Sequence, residues 1–110
     1  MNFDQLTEWD RRAQEAQARA AQALLRLVEA AESSDSGQAR RVALFLAGTF
    51  NGAAFPFDLF ELRSLDVNLA DDALACIDAL RWGKADLHKL IPDGETRLAA
   101  LIESWGLRQP

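Results

Sequence analysis

The chain has 110 residues, near the commonest size of one domain, with 49% apolar residues and 26% charged residues of mixed sign. Its net charge of −5 argues against nonspecific binding to nucleic acid, which depends on basic clusters, and no direct nucleic-acid partner is expected. No apolar run approaches the roughly 20 residues of a bilayer span, and the acidic start Met1–Leu6 is no signal peptide. A lone Cys76 permits no internal disulfide and suits a reducing compartment, so the chain reads as soluble and cytoplasmic.

From Asp4 to Glu32 the pattern is helical, without glycine or proline. Leu6, Trp9, Ala13, Ala16, Ala20, Ala23, Leu27 and Ala30 recur at alternating steps of three and four, a heptad seam made mostly of alanine. Small residues let two helices approach closely but contribute little hydrophobic energy each. A helix of this length reaches roughly 42 Å, whereas the rest of the chain should form a body about 30 Å across. It should therefore overhang the body or pair with a second copy; the plainer alternative docks only Leu24, Leu25, Leu27 and Val28 and leaves the first half solvated. The seam Leu6, Trp9, Ala13, Ala16, Ala20, Ala23 is the candidate homodimer contact. Trp9 is singled out as a contact anchor, because a monomer has little there to bury it.

Ser33–Gly37 is a short linker, and Ser36 or Asp35 can cap a second helix from Gln38 to Phe50. Val42–Leu62 holds five of the six phenylalanines and is the expected centre of the core. Asn51-Gly52 is read as a left-handed exit. Asp58 and Glu61 have the spacing of a capping box, with Phe57 and Leu62 as its hydrophobic staple, so a short helix is expected at Leu59–Arg63.

A further helix is expected from a cap at Asn68 to Trp82, with Leu69, Ala73, Cys76, Ile77 and Leu80 inward and Gly83 ending it. Ala85–Ile91 holds one helical turn, Pro92-Asp93-Gly94 turns the chain, and a last helix runs from Glu95 to Trp105 before Gly106. No strand emerges. The expected fold is all-α: one domain over 1–110, a compact bundle of four to five helices, with 1–32 as a long helix and possible dimerisation arm and 38–106 as the helical core.

Chemistry is sparse. His88 is the only histidine, which rules out a multi-histidine metal site, and Cys76 falls on an inward stripe that disfavours the thiolate. No phosphate-cradling loop, zinc spacing or calcium loop is present, so no catalytic residue, cofactor or metal is expected. The largest charge excess lies between Asp66 and Gly83, where Asp66, Asp71, Asp72 and Asp78 face Arg81 alone. Helix starts favour acids, which accounts for Asp71 and Asp72 but not for Asp78. Asp71 and Asp78 share a face two turns apart, with Asp72 about 100° away, so Asp71 and Asp78 are candidate contacts for a basic partner.

The run Asn51…Phe57-Asp58-Leu59-Phe60-Glu61-Leu62, then Asp66 and Ala70-Asp71-Asp72, resembles an uncharacterised family of small helical proteins. The resemblance covers about Arg41 to Trp105, with Ala53-Ala54-Phe55-Pro56 where that family carries more glycine. It implies a setting on plasmids and integrative mobile elements, and supplies no activity. The expected function is a non-enzymatic protein-interaction module of such an element, acting as a homodimer on another protein. The alternative is a small acidic inhibitor of a host defence or nucleic-acid-handling complex, anti-CRISPR-like, that occupies a basic surface.

Overall fold

A computed structural model describes residues 2–107. The first helix, α1 (Phe3–Ser33), begins at Asn2, whose side chain accepts a hydrogen bond from the Gln5 amide at 2.8 Å, and stops where Ser34 turns extended. At about 1.5 Å per residue it spans nearly the whole 48 Å long dimension of the molecule. Its main neighbour is α3 (Val67–Trp82). Ala13, Ala16, Ala20 and Ala23 are buried on α1, and α3 buries small residues of its own, Ala73, Cys76 and Ala79.

The alanine seam is therefore a helix–helix contact, but its partner is α3 of the same chain. Ala13, Ala16, Ala20 and Ala23 are already covered in one copy, which corrects their reading as a dimer seam. The physical reason is the one that made the seam conspicuous: small side chains admit a close neighbour, and a hairpin-like return of the same chain supplies it. Burial begins at Ala13, so the first half of α1 is not simply solvated either. Leu6 and Trp9 lie beyond the covered stretch.

The second helix, α2 (Gly37–Phe50), is capped by Ser36, whose hydroxyl accepts from the Ala39 amide at 3.1 Å. Val42, Ala43, Phe45, Leu46 and Ala47 are buried, and α2 packs on both α1 and the last helix. The expected left-handed exit is absent: Asn51 has φ −153° and ψ 89°, and Gly52 does not have positive φ. Instead Asn51 Oδ1 accepts from the Ala54 amide and its carbonyl from the Phe55 amide, so the side chain stabilises the turn.

Leu59–Ser64 is a 3-10 helix with Asp58 as its cap, accepting from the Phe60 amide at 2.9 Å. Glu61 does not reach back to Asp58; it meets Arg41 of α2 at 3.2 Å. Gln38 clasps the next junction, donating to the Ser64 carbonyl and accepting from the Asp66 amide. That clasp sets the start of α3 at Val67 with Asp66 in the cap position, two residues before the expected Asn68. Gly83 ends α3 in the left-handed conformation (φ 65°). Ala73 and Cys76 are buried as expected, but Leu80 is exposed, because the rest of the chain leaves that edge of α3 open.

A short 3-10 helix, Leu87–Leu90, precedes α4 (Gly94–Ser104). Leu87, Ile91, Leu98 and Leu101 are buried, and the Trp105 indole donates to the Ala31 carbonyl at 3.3 Å, tying the end of α4 to the end of α1. The molecule is an all-α bundle with a long first helix, and no strand occurs among the described residues.

Candidate functional site

The acidic helix looks different once α1 lies beside it. Asp72 takes a two-point contact from Arg26, at 2.8 and 3.0 Å, and its side chain is only 13% exposed. Asp78 accepts from Arg81 at 2.6 Å and has Arg19 at 3.6 Å. Its carboxyl is held below the ordinary aspartate range, chiefly by the Arg81 hydrogen bond. Lys84 reaches Asp10 at 3.1 Å. Pairs 10–84, 19–78 and 26–72 form an antiparallel ladder along α1 and α3. Asp78 thus belongs to a structural ladder, whereas Asp71 is exposed and makes no ion pair among the described residues.

Cys76 is fully buried, and burial first, with Asp72 second, pushes its thiol up to about 12. A thiol so placed is inert near neutral pH. His88 is half-buried with its ring edge-on to Phe50, centroids 5.2 Å apart. Among the described residues no group of three or more His, Cys, Asp or Glu side chains converges as a metal site would require.

Apart from Val67 and Leu74 on α3, the exposed large apolar side chains gather in two places. Between α2, the first 3-10 helix and α3 lies a groove of about 170 Å³, lined by Phe45, Gly48, Thr49, Phe57, Leu59, Ile77 and Leu80. Phe45 and Phe57 pack edge-to-face at 5.4 Å in its wall. Gly48 is where the loop crosses α2: a Cβ there would lie 3.2 Å from the Phe55 carbonyl oxygen and from Phe57 Cβ. The run Phe57–Leu62 divides by role. Asp58 caps, Phe57 and Leu62 pack against the core, and Leu59 and Phe60 point outward, 67% and 68% exposed. Capping explains none of the exposure of the last two.

The second open place is the start of α1, where Phe3, Leu6 and Trp9 are exposed. Beside them is a cleft of about 350 Å³ lined by Leu6, Trp9, Asp10, Trp82 and Lys84. The Trp82 ring is flanked by the guanidinium groups of Arg81 and Arg12, at 4.7 and 5.3 Å. Trp9 is thus less isolated than its sequence position suggests, since the end of α3 stands next to it. Of the residues expected to meet partners, Trp9 and Asp71 are outward-facing, and the structure does not bring them together with Asp78 into one patch.

The fold defines an all-α bundle with a long first helix. Residues 21–106 match the model of a family of unknown function, DUF7673, and the chain belongs to that family. No curated protein and no solved structure matches it. The matched segment contains the apolar groove and the acidic helix, and it begins after Phe3, Leu6 and Trp9.

Proposed function

We propose that this chain is a non-enzymatic protein-interaction module serving a mobile genetic element, and that it receives its partner on the groove beside Leu59. The observation that carries the reading is exposed Leu59 in the wall of a nearly all-apolar groove, with exposed Phe60 next to it in the chain. Monomeric proteins rarely leave large apolar side chains grouped around a concavity without a use. A groove of this size takes one apolar side chain of a partner protein, and each such side chain buried contributes roughly 1.5–3 kcal/mol. The mobile-element setting is supported only by the resemblance of the Phe57–Leu62 and Ala70-Asp71-Asp72 runs.

A photo-crosslinking residue at Leu59, used in host lysate, tests this. The expected result is one crosslinked protein, lost with Phe60→Glu while the thermal midpoint is unchanged, and insensitive to moderate salt. The acidic-inhibitor reading rests on Asp71, with exposed Leu74 beside it on the outer face of α3. It predicts the opposite pattern: capture lost on raising salt and on Asp71→Lys, and indifferent to Phe60→Glu.

A further inference from the structure

The loop that crosses α2 at Gly48 borders two cavities. Phe57 lines the groove beside Leu59, whereas Phe55 and Pro56 line a cleft of about 440 Å³ together with Leu44, Ala47 and Leu107. Arg40 is the only charged residue in the lining of that cleft. Both of its irregular walls are fixed by local hydrogen bonds, so the cleft is preformed. The Asn51 carbonyl accepts from the Phe55 amide at 2.9 Å, and the Asn51 side chain from the Ala54 amide at 3.1 Å. At the end of α4, Gly106 is left-handed (φ 63°), its amide donating to the Glu103 carbonyl and the Leu107 amide to the Ile102 carbonyl. That Schellman end turns Leu107 back against the core.

Arg40 stands apart from the other bases. Every other lysine and arginine among the described residues has an acid within ion-pair distance or, for Arg12 and Arg63, an aromatic ring under its guanidinium. Arg40 has neither among the described residues. Nor does α2 carry an acid in its first turn, where a helix start favours one. A chain of net charge −5 thus keeps an uncompensated guanidinium on an apolar cleft. The volume lies in the range of small-ligand pockets, which are mostly apolar with a few placed polar groups. A protein partner fits less well. None of the exposed large apolar side chains lines this cleft, so its apolar surface lies inside the concavity rather than around it. The geometry points to a small organic acid as the ligand, its apolar body against Leu44, Phe55 and Leu107 and its carboxylate on Arg40.

This site is independent of the groove at Leu59, and the test needs only the purified chain and defined probes. Titration with 3-phenylpropionate should shift the backbone amide NMR signals of Arg40, Leu44, Phe55 and Leu107 and leave those of Leu59 and Leu80 in place. The amide 3-phenylpropanamide, which has the body without the charge, should bind at least about ten-fold more weakly. Acetate, which has the charge without the body, should shift none of them. Arg40 is exposed, so Arg40→Gln should leave the thermal midpoint unchanged while lowering the acid to the affinity of its amide. The inference is overturned if 3-phenylpropionate shifts none of the four signals at millimolar concentration, or if the shifts centre on Leu59. It is overturned equally if acid and amide bind alike, if acetate acts as 3-phenylpropionate does, or if Arg40→Gln keeps the preference for the acid.

Discussion

Arg26 and Asp72 stand 46 positions apart in the chain and meet through two hydrogen bonds, Nη2 to Oδ1 at 2.8 Å and Nε to Oδ2 at 3.0 Å. A bidentate arginine–carboxylate contact fixes orientation as well as distance. With Lys84–Asp10 and Arg19–Asp78 it sets the register in which α3 lies along α1.

Neutralising the three acids of α3 should therefore have graded effects on stability. Asp72→Asn leaves Arg26 facing an uncharged amide and is expected to lower the thermal midpoint most. Asp78→Asn should lower it less, since Asp78 is itself more exposed, 34% against 13% for Asp72, and Asp71→Asn should leave it unchanged. Melting curves of the three variants at low salt decide this. An equal response from Asp71→Asn and Asp72→Asn would mean that the ladder adds nothing to the packing of α1 on α3.

That ladder shows how far the residues alone could carry the fold. Helix positions, the Ser36 and Asp58 caps and the Gly83 and Gly106 stops are local, so spacing and residue type revealed them. The partner of the alanine seam is not local. A heptad of small residues states that a helix will come close and leaves open whose helix it is. The complementary order Asp10, Arg19, Arg26 against Lys84, Asp78, Asp72 was the available signal, and it becomes legible only when α1 and α3 are set antiparallel. Leu59 and Phe60 were hidden for another reason. They sit in a run whose neighbours cap and staple a helix, and periodicity cannot separate those jobs within one short 3-10 turn.

Charge placed on the covered seam should unfold the monomer rather than dissociate a dimer. Ala20 has no exposed surface, and a glutamate there adds volume to a close helix contact and buries an unpaired carboxylate. Loss of about 3 kcal/mol or more is expected for Ala20→Glu. Leu6→Glu, on the same stripe but beyond α3, should cost little stability. Urea titrations of both at a fixed dilute concentration separate the two roles. Similar midpoints would restore the seam as a contact between copies.

Glu32 and Arg97 join the end of α1 to α4 at 2.6 and 3.0 Å. The Arg97 hydrogen bonds hold the Glu32 carboxyl below its ordinary value of 4.5 in the fold. A carboxylate whose folded pKa is depressed contributes stability above its unfolded pKa, and that contribution is lost as pH falls through the folded value. The wild-type chain should thus lose part of its stability below about pH 4.5. Glu32→Gln should be less stable near neutral pH and show a flatter dependence across the acid range. Thermal midpoints of the two proteins between neutral and acid pH should converge; parallel curves would show that this pair contributes no pH-dependent stability.

Two glycines should fail for different reasons, and the difference measures how tightly α4 is docked. Gly94 opens α4 and is buried; a Cβ there would run into the His88 carbonyl and come 3.0 Å from Ile91 Cγ1. The obstacle is backbone, which cannot swing aside as a side-chain tip can. Gly94→Ala must push α4 away from the Leu87–Leu90 turn, where Leu87, Ile91 and Leu98 are buried together in the core. A cost of about 2–3 kcal/mol is expected, as for other overpacked sites. Gly83 meets nothing within 4 Å, and its only demand is φ 65°. Gly83→Ala should then cost roughly 1–2 kcal/mol, the strain of a left-handed residue with a Cβ. Adding Leu87→Ala distinguishes the mechanisms further. It makes room beside α4, so the double variant Gly94→Ala, Leu87→Ala should be less destabilised than the sum of its parts, whereas Gly83→Ala and Leu87→Ala should add. Strict additivity in both pairs would leave the Gly94 effect as a local collision with the His88 carbonyl, transmitted no further into the core.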